Sequence, residues 1–429
     1  MPEAPARSGA RRLFLHCAGS ATPPFDRQAE RALVLASGDD VVCVPREIDP
    51  EYLGFLSSIG LGPSAANVVA VPERSGIGGS LAERILRTGG MVEQLAGRLG
   101  ATEVILHPSA GTADVFALAQ GLERVAGRRV RVHASPPERT AEADARHRMR
   151  ERATALGIPV APGEVAELPP FGRRRRDLEP LRAAIERQRR CTGRVVVRSA
   201  LGAGGPTRFL IEPGGDDTDD VLARIALGSG HRIWLVEVMV EASVRATVDV
   251  LVEPGTGTVR LRGVSDRRLG RGLTPVGSRY PTAARSVKQM ETWAAGIAAS
   301  LGADGFSGPV SVDFVEPHTS AGAPLAFFSG ARGRPSEASY ALGLGERLAA
   351  AALVSGTVPT RAATFGRLRQ LLGSLLYDPD RGSGIVPYAT GWLDQGTCPV
   401  VALADDRLQA SELFGRAQVL VAPRPVDSP

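Results

Sequence analysis

Three short segments carry residue types that could do chemistry. The first, Val195 to Glu212, reads as strand, glycine-rich loop and strand, with Arg198 on the leading strand and Gly202, Gly204 and Gly205 in the loop. Glycines let main-chain amides approach an anion closely, and a basic side chain just ahead of them can meet phosphate oxygens. A glycine-rich hairpin with no ligand fits the same residues. The second segment, Trp234 to Glu241, is an apolar run with Glu237 midway and Val240 near its end. Either it has one exposed face, or it is a hinge whose main chain reads an adenine edge. The third, Gly305 to Val315, buries Asp313 among β-branched residues. A carboxylate there needs a partner, either a metal or an arginine. Magnesium bound to nucleotide phosphates takes one or two such carboxylates, so Asp313 is the metal candidate.

These segments need elements to position them. Up to about residue 136, short β-rich runs (Arg12 to Leu15, Asp40 to Val44, Val68 to Val71, Glu103 to Leu106, Val130 to His133) alternate with helical patterns at Leu81 to Leu99 and Asp114 to Val125. That alternation predicts a parallel sheet with helices on both faces. A second region, 137–360, opens with a charged helix over Ala141 to Leu156. Strands follow at Ile233 to Val240, Arg245 to Val252, Val259 to Val264, Gly308 to Val315 and Leu325 to Phe328. Helices are expected over Val287 to Leu301 and Ser336 to Leu353. The remainder, 361–429, has a helix near Phe365 to Leu376, turns and strands over Gly384 to Leu403, and a tail expected to be disordered from Arg424.

Composition excludes several classes. Of 429 residues, 43% are hydrophobic, too many for a disordered chain despite 50 glycines and 32 prolines. Lys288 is the only lysine among 51 basic residues, so chemistry that elsewhere uses lysine falls to arginine here. The net charge of +5 is interspersed and only 5% of residues are aromatic, which argues against a nucleic-acid surface. The four cysteines form no CxxC pair, against a zinc site or disulfide framework. No apolar run reaches the roughly 20 residues of a membrane span. A cytoplasmic protein is expected.

The order of the three chemical segments after a strand–helix region resembles the ATP-grasp superfamily. It is most similar to the subgroup with a pre-ATP-grasp domain and a C-terminal cap, typified by pheganomycin-type peptide ligases of actinobacteria. Further matching stretches are His107 to Thr112, Leu156 to Gly163, the turn region with Asp266, Gly277 and Pro281, Gly382 to Tyr388 and Val401 to Asp406. The resemblance implies an α/β fold: a Rossmann-like pre-ATP-grasp domain (1–136), ATP-grasp α+β lobes (137–360) and a small cap (361–429). It implies ATP and magnesium, small-molecule carboxylate and amine substrates, and a homodimer. Arg198 stands where the family has a phosphate-contacting lysine, with Gly202, Gly204 and Gly205 as the phosphate loop. Glu237 and Val240 fall in the adenine hinge, and Asp313 is one metal ligand. Arg332 and Arg279 are candidates for contacts to the reacting groups, as is Arg262 for the carboxylate.

The sequence departs from the family at the second metal motif. Where Glu-x-Asn-x-Arg is expected it has Phe328-Ser329-Gly330-Ala331-Arg332, so only the arginine remains. An earlier nucleotide lysine falls at Ala145-Arg146. Glu337 could substitute as a metal ligand; Glu316 sits on the strand face opposite Asp313. Two functions are therefore expected to compete. One is an ATP-dependent carboxylate–amine ligase working through an acyl phosphate in secondary metabolism. The other is a degenerate ATP-grasp protein that binds or scaffolds without phosphoryl transfer.

Overall fold

The computed structural model describes residues 10–16, 25–71, 79–100, 103–169, 175–201, 208–228, 230–270, 274–318 and 326–423. The tail from Arg424 lies outside them. The first region holds β1 (Arg11–Leu15), β2 (Ser37–Gly38), β3 (Val41–Val44), β4 (Gly62–Pro63), β5 (Val68–Ala70), β6 (Val104–Pro108) and β7 (Val130–Val132). Apart from the small β2/β4 pair, these strands form one parallel sheet in the order β5-β3-β1-β6-β7. Both its faces are covered, which is why its strands read as continuous apolar runs. α1 (Pro50–Ser58) covers one face, packing Tyr52 and Leu56 with Phe14, Val42 and Val44. α2 (Leu81–Arg87), α3 (Met91–Leu99) and α4 (Ala113–Ala126) cover the other, around Leu13, Val41, Cys43 and Leu106. The single helix expected over Leu81 to Leu99 is thus two. Gly89 and Gly90 interrupt it, and Gly90 takes a left-handed conformation (φ 76°) that favours glycine.

The charged helix expected over Ala141 to Leu156 is also two, α5 (Pro137–Asp144) and α6 (Arg146–Ala155). They meet at Ala145, whose backbone is extended (φ −80°, ψ 101°). The break turns the Arg146 N–H onto the carbonyl of Ala200, 2.9 Å away. A four-stranded antiparallel sheet follows, from β8 (Gly163–Glu167), α7 (Glu179–Thr192), β9 (Val195–Ser199), β10 (Arg208–Ile211), α8 (Thr218–Gly228) and β11 (Ile233–Val238), in strand order β10-β9-β11-β8. Val195, Val197, Trp234 and Val236 pack down against α7 and α8. By alternation, Val196, Arg198, Leu235 and Glu237 face the other way.

The rest of the chain builds an eight-stranded antiparallel sheet. Its strands are β12 (Ala242–Val252), β13 (Val259–Leu269), β14 (Pro275–Tyr280), β15 (Gly308–Pro317), β16 (Phe327–Arg332), β17 (Ala352–Pro359), β18 (Gly384–Pro387) and β19 (Thr397–Ala404), ordered β16-β15-β12-β13-β14-β17-β19-β18. α9 (Val287–Ala303) covers one face, over Ala246, Val248, Val264, Val312 and Phe314. Thr247, Asp249, Ser265, Arg267, Ser311 and Asp313 therefore face the opposite side. α10 (Glu337–Arg347) stops short of the expected helix end at Leu353. Ala349 turns to φ 52° and the chain re-enters the sheet as β17, between β14 and β19. After α11 (Phe365–Leu372), the segment expected as a C-terminal cap contributes β18 and β19 to this same sheet and ends in α12 (Arg407–Val421). Its apolar residues share one core with α1 and β3.

Beside that shared core lies a histidine pair, His16 buried and His107 half-buried. His16, 1% exposed, lies 2.9 Å through Nδ1 from the Tyr340 hydroxyl and 3.3 Å through Nε2 from His107 Nδ1. Burial lowers the His16 imidazole to about 4, and burial beside His16 holds His107 well below its ordinary value. Both are neutral when folded, whereas an unfolded histidine charges near pH 6.5. The stability they secure is complete above about pH 6.5 and falls as pH drops toward 4, by about 3 kcal/mol for His16 alone. Urea unfolding of wild type and His16→Gln across this window should give a clearly flatter pH slope for the variant; equal slopes would contradict the assignment.

Candidate functional site

The polar face of the four-stranded sheet looks across a cleft at the polar face of the eight-stranded one. The cleft encloses about 600 Å³, counting solvent at its mouth. It is lined by the apolar side chains of Ala161, Val196, Val238, Val240, Phe327 and Phe328 and by the charged Arg198, Arg208, Glu237, Arg245 and Arg267. The strand registers explain the grouping. Arg198 on β9 is directly opposite Arg208 on β10, while Asp313 on β15 is opposite Thr247 on β12.

Each of these charges is held in a definite place. Arg198 donates to the Ser329 carbonyl (2.7 Å) and is ion-paired with Glu237. Glu237 also accepts from Arg150 (2.7 Å) on α6. The Glu237 side chain is only 7% exposed and orients two guanidiniums. β8 can lie this close to it because Gly163 has no side chain: a Cβ there would stand 2.6 Å from the Val236 carbonyl and 2.8 Å from the Glu237 Cα. The Val240 carbonyl accepts from Arg245 (3.2 Å). The N–H groups of Val238 and Met239 bond the carbonyls of Pro162 and Arg194.

Asp313 is the most tightly engaged acid in the cleft. Its Oδ1 accepts from Thr247 Oγ1 (2.7 Å), and its Oδ2 from Arg267 (2.8 Å) and from Arg332. Burial would raise this carboxyl, but Arg267 and Arg332 outweigh burial and hold it below the usual carboxylate range. Arg332, expected to contact the reacting groups, is thus ion-paired with Asp313. The arginines in turn repel one another. Arg146 donates to the Ser199 carbonyl (2.6 Å). Burial and the nearby Arg198 and Arg332 lower it to about 10. Burial with Arg198 and Arg267 lowers Arg208 to about 9. Like charges directly across two strands are destabilising unless an anion lies between them.

Several expectations need correcting. Arg279 pairs with Asp266 across β13/β14, and Asp266 bonds Arg407 of α12 and Thr282. Alternation therefore puts Arg279 on the sheet face opposite Arg267, away from the cleft. Phe328 and Gly330 do not share a face as neighbours two apart should: a bulge at Ser329 pairs Gly330 with Asp313 but Phe328 with Phe314. Phe328 is consequently 3% exposed in the core against Phe314. Glu337 bonds the Tyr388 hydroxyl (3.0 Å) and lies 3.8 Å from Arg31, so its carboxylate is taken up there. Glu316 caps the start of α9 through the Ser286 N–H (2.8 Å) and hydroxyl (2.6 Å). Gly202, Gly204 and Gly205 lie outside the described residues. Sequence reading missed Arg208, Arg245 and Arg267. For Arg245 the signal was polar residues at every second position in Arg245-Ala246-Thr247-Val248-Asp249, and Arg267 required the third strand to be carried past Val264.

A magnesium ion fits these residues poorly. Among the described residues, no group of three or more His, Cys, Asp or Glu side chains could hold a metal. Both Asp313 oxygens are engaged, and a glycine faces Asp313 on β16. A triphosphate fits better, since the cleft offers guanidiniums together with apolar side chains.

The Pre ATP-grasp domain family matches residues 29–124. No curated protein matches the sequence. Among solved structures, the chain is similar to an N5-carboxyaminoimidazole ribonucleotide synthetase in complex with ADP (TM-score 0.58, 12% identity, 96% of each chain covered). The corresponding enzyme of Thermus thermophilus gives a TM-score of 0.55 at 15% identity, covering 97% of this chain and 100% of that one. Biotin carboxylase of Campylobacter jejuni, as a β,γ-ATP complex, gives 0.56 at 13% identity, covering 96% and 91%. The architecture is α/β: a Rossmann-like pre-ATP-grasp domain followed by ATP-grasp α+β lobes. Among the described residues no helix is long and apolar enough to cross a membrane.

Proposed function

We propose that the cleft binds a nucleoside triphosphate and that the chain is an ATP-dependent carboxylate–amine ligase. The observation that carries this reading is a cleft lined by Arg198, Arg208, Arg245 and Arg267, with Arg146 and Arg332 close by, and by the apolar residues of the Val238–Val240 segment. The purine would lie against the apolar side chains and the phosphates among the arginines. ADP and ATP complexes of proteins with the same fold support the choice of ligand. In the reaction, a carboxylate oxygen attacks the terminal phosphorus and ADP leaves. The amine nitrogen then attacks the acyl carbon, inorganic phosphate leaves, and the ammonium proton is lost as the amide forms. For this the chain supplies positioning and fixed positive charge where the phosphoryl group carries negative charge. Glu237 aims Arg198, and Asp313 with Thr247 fixes Arg267 and Arg332. An amino-acid or peptide carboxylate in secondary metabolism is the substrate class that the sequence resemblance suggests.

A second reading, a nucleotide-binding partner without turnover, is favoured by one observation: the acid expected to serve catalysis is neutralised by two arginines. Hydroxylamine trapping separates the two. Incubation with ATP, hydroxylamine and a panel of amino-acid and peptide carboxylates should yield a hydroxamate and ADP in equal amounts. ATP binding with no hydroxamate from any carboxylate would leave the second reading.

A further inference from the structure

Four guanidiniums line the cleft, those of Arg198, Arg208, Arg245 and Arg267, with Arg146 and Arg332 adjoining them, and among the described residues the carboxylates acting on this group are Glu237, Asp313, Asp144 and Asp249. A metal-free triphosphate carries roughly four negative charges, two of them on the terminal phosphate. Magnesium requires near-octahedral oxygen ligands at about 2.1 Å and usually one or two carboxylates besides the phosphates. Here the carboxylate nearest such a position, Asp313, already spends Oδ1 on Thr247 and Oδ2 on Arg267 and Arg332. On the facing strand, Gly330 offers no ligand, and the Ser329 carbonyl accepts from Arg198 at 2.7 Å. A cation entering this position would have to displace two guanidiniums from a buried carboxylate and would then stand among their positive charges.

Resting on the nucleotide reading above, we infer that this cleft takes its polyphosphate as the free anion, with Arg267 and Arg332 standing as fixed cations where a divalent metal would otherwise be needed. Arg267 and Arg332 are held by Asp313, Arg198 by Glu237 and Ser329, Arg146 by Ser199 and Arg245 by Val240. They are therefore oriented before the ligand arrives, and phosphate oxygens complete pairings that the protein leaves in excess. Guanidinium groups suit this task because their planar fork bonds two phosphate oxygens at once. Magnesium in solution competes for those oxygens by halving the ligand's charge. It should therefore weaken binding.

The test is calorimetric titration of the full chain with ATP, once in excess EDTA and once in excess magnesium chloride. The expected result is saturable binding in EDTA, tighter than in magnesium by about tenfold. Binding that appears only with magnesium, or is strengthened by it, overturns the inference while leaving the nucleotide reading intact. Absence of binding under both conditions overturns the nucleotide reading, and this inference with it.

Discussion

Asp313→Asn should destabilise the protein by about 3–5 kcal/mol and lower Tm by roughly 5 °C. The substitution keeps the shape of the side chain and an acceptor for Thr247. What it removes is the charge between Arg267 and Arg332, leaving both guanidiniums buried against Arg198 and Arg146 without their counter-ion. Breaking one side of a buried pair is expensive because the remaining charge keeps its desolvation penalty. A carboxylate reserved for a cation would behave in the opposite way. Without the cation it would be a buried, uncompensated anion, and neutralising it would raise Tm. Differential scanning calorimetry of the two proteins in EDTA distinguishes these cases by the sign of the shift. Adding ATP should restore much of the lost stability, since its phosphates supply the missing negative charge.

The second large effect concerns Arg198 and Arg208. The double variant Arg198→Met/Arg208→Met should weaken ATP binding by about 100-fold or more, because each charge-assisted contact to a phosphate is worth about 1.5–3 kcal/mol. The fold should tolerate the change. Methionine keeps most of the side-chain length, and Glu237 retains Arg150 at 2.7 Å as its partner.

The sequence disclosed unequal parts of this arrangement. All five strands of the parallel sheet were visible as short, largely apolar runs, because burial on both faces leaves little room for polar residues. Helix ends were harder. The breaks at Gly90 and Ala145 depend on tertiary contacts, such as the Arg146 N–H meeting Ala200, that periodicity does not carry. The C-terminal strands read as a separate unit because nothing in Thr397 to Ala404 says that β17 lies beside it, more than 40 residues earlier. Arg198, Asp313 and Arg332, singled out from residue type and order, are brought near one another by the strand registers. Arg279 was misplaced because strand alternation fixes a face only once the register with Asp266 is known. The bulge at Ser329 likewise pairs Phe328 with Phe314 and packs it against the core, a change of register that residue spacing alone does not carry.

Equilibrium titration of the intact chain and of Arg198→Met/Arg208→Met with ATP tests the central claim most directly. The account predicts saturable one-to-one binding to the intact chain, with affinity collapsing in the variant while its circular dichroism spectrum is unchanged. Equal affinity in both proteins, or no saturable binding to the intact chain, would contradict it.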